Sequence, residues 1–119
     1  MNRDPQRLPD YLAHIGQAIE RIQRYTNGID EAAFLASEIV QDAVIRNFEV
    51  IGEACRNIER GHSDFAAAHP ELPLTIAYEM RNALAHGYFK VDLQIVWKTI
   101  LNDLPPLGRL VRTLSDSLQ

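Results

Sequence analysis

Apolar residues recur at steps of three and four along most of the chain, the spacing that lines one face of a helix. Leu8, Leu12, Ile15, Ile19 and Ile22 make the first such face. Pro9 stands near its start, where a missing N–H costs little, and Thr26-Asn27-Gly28 stops it, with Gly28 as the C-terminal cap. Asp30 is placed to cap a short helix holding Ala33, Phe34 and Leu35. The longest predicted helix begins near Ser37, its N-cap, and runs to about Arg60. Val40, Val44, Ile51, Cys55 and Ile58 form its buried stripe, widened by Ile39, Ala43, Phe48 and Ala54. Gly52 lies inside it and costs about 1 kcal/mol against alanine, which predicts a close approach by another helix or backbone there.

Gly61-His62-Ser63-Asp64 breaks the pattern, and a short amphipathic piece from Phe65 to Ala68 ends at His69-Pro70. Pro73 opens a further helix with Leu74, Ile76, Ala77, Met80 and Leu84 as its apolar residues, closed by Gly87. Asp92 caps the next, which carries Leu93, Val96, Trp97, Ile100 and Leu101. Pro105-Pro106 predicts a bend before a last helix with Leu107, Leu110, Val111 and Leu114. No strand alternation, internal repeat or low-complexity tract interrupts this. The expected fold is all-α: an antiparallel bundle of four main helices plus short ones, with short loops. At 119 residues it is expected to be one domain, residues 1–119, small enough to gain from association between subunits.

Composition narrows the classes. The hydrophobic share of 46% and charged share of 24% are those of an ordinary globular chain. No apolar run approaches the length of a membrane span, and Met1-Asn2-Arg3-Asp4-Pro5 lacks the apolar core of a signal peptide, so a cytoplasmic location is expected. Cys55 is the only cysteine, which excludes an intrachain disulfide and a cysteine-based metal cluster and suits core packing. The net charge of -4 argues against a protein that coats nucleic acid, but not against one that grips a single phosphate.

The chemistry concentrates in Arg81-Asn82-Ala83-Leu84-Ala85-His86-Gly87-Tyr88. A guanidinium forks onto a phosphate and keeps its charge; an imidazole gives or takes a proton near neutral pH. On a straight helix Arg81 and His86, five residues apart, splay by roughly 140°. A helix ending at Gly87 lets His86 turn toward a common cleft, and the negative end of the helix dipole favours its protonated form. Asn82 is a candidate for positioning a phosphate or ribose hydroxyl, and Tyr88, just past the cap, for contact with substrate or for modification. An Arg and a His at a helix end also often do no more than cap carbonyls and pair with a carboxylate. Two copies brought together by a twofold dimer would make a stronger site than one.

The chain resembles the HepT-type toxins of the HEPN superfamily. Their signature is Arg, four to six residues, His, one residue, Tyr; here it stands as Arg81, then His86-Gly87-Tyr88. Gln41-Asp42-Ala43-Val44-Ile45-Arg46-Asn47-Phe48-Glu49-Val50-Ile51-Gly52-Glu53-Ala54 is similar to the family's long helix. Val91-Asp92 with Val96-Trp97, and Leu104-Pro105-Pro106-Leu107, are similar to its C-terminal third. The likeness covers roughly residues 8 to 115. It implies a small helical homodimer with the Arg and His of both subunits at a shared cleft. It further implies a metal-independent endoribonuclease without cofactor, acting as the toxin of a type VII toxin–antitoxin system. The partner so implied is an MNT-type nucleotidyltransferase antitoxin that transfers AMP to the motif tyrosine, Tyr88. Arg81 and His86 would then be catalytic, with Asn82 beside them. The alternative from another class is a non-catalytic module that docks the nucleotidyltransferase and positions its nucleotide or substrate.

Glu49 and Glu53 lie on one face of the long helix and are candidates for orienting the arginine, or for a solvated structural role. His14, His62 and His69 have no metal-ligand spacing, and no metal site is expected. Trp97 and Tyr78 sit at apolar helical positions, as core or dimer-face aromatics. Phe89 stays ambiguous, and Arg7, Arg21 and Arg24 of the first helix are solvated or hold RNA or a partner's acidic face.

Overall fold

In the computed structural model, which describes residues 7–70, 80 and 91–118, the periodic segments fold as helices. Among the described residues there are six: α1 (Arg7–Thr26), α2 (Glu31–Leu35), α3 (Glu38–Gly61), α4 (Ser63–Ala68), α5 (Leu93–Asn102) and α6 (Leu104–Ser117). No described residue is in a strand, and the architecture is all-α, as the periodicity predicts.

Local chemistry sets the boundaries. Gly28 follows α1 at a φ of 80°, in the left-handed region where a side chain would be strained. The Asp30 carboxylate accepts from the Ala33 N–H at 2.9 Å and opens α2, and the Ser37 hydroxyl accepts from the Val40 N–H at 3.2 Å and opens α3. The Asp92 carboxylate accepts from Gln94 and Ile95 at 3.0 and 3.2 Å and opens α5. The prolines behave differently from the expected bend. The chain redirects at Asp103, and Pro105 and Pro106 fall inside the first turn of α6, where absent N–H groups leave no helical bond unmade.

α1 packs lengthwise against α3 on one side and α6 on the other. Its start lies beside the end of α3, where the Tyr11 and His62 rings are 6.1 Å apart, so the two run antiparallel. α1 is also antiparallel to α6: Gly16 faces Val111 and Ile19 faces Gly108. A Cβ on Gly108 would stand 3.4 Å from the Ile19 methyl, so the seam is tight. The core is continuous from Leu12, Ile15 and Ile22 of α1 through Val44, Ile51, Cys55 and Ile58 of α3 to Val111 and Leu114 of α6. At its far end Phe34 of α2 meets Trp97 of α5, ring centroids 5.3 Å apart, which makes Trp97 a core residue.

Cys55 is fully buried, and loss of hydration, helped by the charge of Glu59, pushes its thiol pKa up to about 12. Gly52 is buried inside α3. Ile39 departs from expectation: instead of widening the buried stripe it is 83% exposed. It sits one residue, or roughly 100° of helix, away from the Val40–Val44 row, and that rotation carries it off the core face.

Candidate functional site

The motif residues Arg81, Asn82, His86 and Tyr88 lie outside the described residues, as do Tyr78 and Phe89. What is described is how the core holds either end of that stretch. Met80, directly before Arg81, is helical and half-buried against the core. Val91 is half-buried against the same core, and Asp92 then locks the start of α5 through its two cap bonds. Both described residues that bracket the motif in sequence are thus packed against the scaffold.

Glu49 and Glu53 are described, and their surroundings were not legible in the sequence. Both face a cleft of about 380 Å³ between α1 and α3. On α3 its lining runs Arg46, Glu49, Glu53 and Asn57, at steps of three and four that keep all of them on one face. His14 closes it from α1, and Val50 and Ala54 give it apolar contact. Glu49 is half-buried, whereas Glu53, Arg46 and His14 are exposed. None of these charged or imidazole side chains makes a hydrogen bond or ion pair with another described residue. Asn57 accepts from the Arg60 guanidinium at 3.2 Å.

Beyond the cleft the same seam continues to the Tyr11–His62 ring pair, with the Arg7 guanidinium 5.3 Å from the Tyr11 ring centre. That distance suits a cation–π contact. Among the described residues, no three His, Cys, Asp or Glu side chains converge as metal ligands. Of the carboxylates weighed for orienting Arg81, the structure thus gives the position, on the α1/α3 seam. His14, Arg46 and Asn57 share the cleft with them and were not picked out from sequence as a group. The α3 spacing was there to be read, but His14 joins only through the antiparallel register of α1 on α3, which a linear pattern does not contain.

Asn47 is a further polar residue on α3, buried, with its amide donating to the Ala43 carbonyl at 2.8 Å. That bond satisfies one donor within the helix itself and leaves Asn47 a structural rather than a cleft residue.

Residues 15–114 match the family model described as Ribonuclease HepT-like. The chain belongs to the HepT-like ribonuclease family. It is 45% identical over 98 residues to the "Probable ribonuclease HepT" of Thermococcus cleftensis, a match covering 82% of this chain and 86% of that one. It is 37% identical over 108 residues to a Methanocaldococcus jannaschii protein named "Gamma-glutamylcyclotransferase and putative RNase". That match covers 91% of this chain but 47% of the relative. A "Putative RNase" of Caldanaerobacter subterraneus is 34% identical over 104 residues, covering 87% of this chain and 90% of the relative. No solved structure gives a significant match. The matched span takes in α3, the motif stretch and most of α6, so the HepT-like assignment rests on the whole scaffold and not on the motif alone.

Proposed function

We propose that this HepT-like chain is a metal-independent endoribonuclease that acts through Arg81 and His86. The observation that carries this is the intact Arg81, His86-Gly87-Tyr88 pattern inside a span that matches a ribonuclease family. Cleavage without metal needs three things: a nucleophile, a proton carrier and a cation for the phosphorane. RNA brings the first in its own 2′-hydroxyl. His86 takes the 2′-O–H proton as the oxygen attacks phosphorus, and the protonated imidazole returns a proton to the departing 5′-oxygen. The P–O5′ bond breaks as the P–O2′ bond forms, leaving a 2′,3′-cyclic phosphate and a 5′-hydroxyl. Arg81 holds the phosphate oxygens and takes up their growing charge, and Asn82 positions the group.

The protein works as a homodimer, each subunit bringing an Arg and a His to one cleft. Its activity is that of a type VII toxin, neutralised by a nucleotidyltransferase antitoxin that adds AMP to Tyr88. An added phosphate at the motif's exit places negative charge where RNA must approach and repels it. The net charge of -4 favours a second reading, a module that docks the nucleotidyltransferase without cutting RNA.

The test is purified protein, without partner, incubated with RNA in excess chelator. Cleavage by the parent, with Arg81→Ala and His86→Ala folded but each slowed by about 100-fold or more, supports the assignment. Equal cleavage by both variants overturns it, and no cleavage by the parent leaves the docking module. For the modification, intact mass after incubation with ATP and the nucleotidyltransferase is expected to rise in the parent and not in Tyr88→Phe.

A further inference from the structure

The α1/α3 cleft offers an unusual set of groups for a surface seam. Carboxylates at Glu49 and Glu53 accept hydrogen bonds, the guanidinium of Arg46 and the imidazole of His14 donate them, and Val50 and Ala54 supply apolar contact. Among the described residues the charges and the imidazole have no side-chain partner, and within that set the cleft is polar and uncommitted. Two carboxylates against one arginine repel a phosphate. The groups suit instead a flat, neutral ligand with donors and acceptors side by side on its rim. A volume of about 380 Å³ is ample for one such ring system.

Among nucleobases the match is selective. Guanine presents adjacent donors, N1–H and the N2 amine, beside adjacent acceptors, O6 and N7. A carboxylate takes the first pair and an arginine fork the second. Adenine and cytosine offer one donor group each on their pairing edge, and uracil one N–H between two carbonyls. One turn toward the start of α1, and five residues on along α3, lie the Tyr11 and His62 rings, with Arg7 against Tyr11. Tyr11 stands three residues before His14, one turn of α1 on the same face, so this aromatic pair flanks the cleft along the seam. Aromatic faces stack neighbouring bases of a single strand whatever their sequence.

We propose that the α1/α3 cleft is a guanine-binding subsite for single-stranded RNA. Glu49 and Glu53 face N1–H and the N2 amine, Arg46 and His14 face O6 and N7, and the adjoining base stacks at Tyr11. The proposal rests on RNA being the ligand of this protein, the first part of the function proposed above. It deepens that by naming the base selected and where.

The experiment is fluorescence anisotropy with the parent protein and labelled 2′-O-methyl pentamers, which have no free 2′-hydroxyl to attack. UUGUU is expected to bind roughly tenfold more tightly than UUAUU or UUUUU. Inosine in place of the guanine removes the N2 amine without touching the protein, and is expected to lose several-fold of that preference. The doubly substituted Glu49→Gln, Glu53→Gln protein and Arg46→Ala, checked for helicity by circular dichroism, are expected to bind all pentamers alike. Equal affinities of the parent for every pentamer overturn the subsite. So does a guanine preference that survives in both variants, and so does an arginine-rich peptide binding the cleft where RNA does not. Cleavage of ordinary RNA is scored separately. Guanine preference without cleavage contradicts the ribonuclease alone, and cleavage without guanine preference contradicts the subsite alone.

Discussion

α1 has two seams, and they are built on opposite terms. Toward α6 it presents Gly16 and Ile19 to Val111 and Gly108, and the helices close until a methyl stands 3.4 Å from where a glycine Cβ would be. Toward α3 the core half is as dry, with Ile15 and Ile51 fully buried, but the outer half opens into the cleft of His14, Arg46, Glu49 and Glu53. The same helical period thus sets one edge of α1 to apolar packing and another to polar groups that have no side-chain partner among the described residues. The first kind of surface stabilises the fold; the second carries the ligand site proposed above.

That contrast can be broken by substitution, and the largest effects fall on the shared core. Ile15→Ala and Ile51→Ala remove side chains from fully buried positions and are expected to lower stability by about 2–5 kcal/mol in urea titrations. Losses under about 1 kcal/mol would mean that the α1/α3 core is far looser than its burial implies. The thiol of Cys55 belongs to this side as well. With its pKa raised to about 12, it should resist thiol reagents in the native protein at neutral pH and react on unfolding. The sign of the linkage follows. Between about 9 and about 12 the unfolded thiol ionises while the folded one does not, so this group lowers stability as pH rises through that window.

The helix caps are the next tier. Ser37→Ala and Asp92→Ala each leave first-turn N–H groups of α3 or α5 without their side-chain acceptor, for a loss of about 1 kcal/mol. The two seams then separate most sharply under mild change. Glu53→Gln in the cleft is expected to alter stability by less than about 0.5 kcal/mol, because the exposed carboxylate has no described partner to lose. Gly16→Ala in the opposite seam is expected to raise it by about 0.5–1 kcal/mol, since a Cβ there meets Val111 at an ordinary 3.9 Å and the helix gains rigidity. A cleft variant that destabilised more than a cap variant would erase the distinction between the seams.

The two sides also differ in how far the sequence reveals them. Leu8, Leu12, Ile15, Ile19 and Ile22 were readable as one buried face because burial follows the helical period, and all of them are buried. Asp30, Ser37 and Asp92 were readable as caps because a short polar side chain before an apolar run has few other uses. Ile39 was misplaced because hydropathy says that a residue prefers burial, not that a neighbour exists to cover it. The cleft was legible only in part. Glu49 and Glu53 showed their common face, but exposed polar residues obey no burial pattern, and His14 reaches them through tertiary register. The Arg81 and His86 motif is the reverse case: its residues are conspicuous in sequence, while their geometry lies outside the described residues.

The central claim, that Arg81 and His86 cut RNA by way of its own 2′-hydroxyl, is tested most directly by the ends of the products. Digestion in excess chelator, followed by mass spectrometry of the fragments, is expected to show 2′,3′-cyclic phosphates and 5′-hydroxyls from the parent and intact RNA from His86→Ala. Fragments carrying 5′-phosphates, or the same cyclic ends from both proteins, would contradict it.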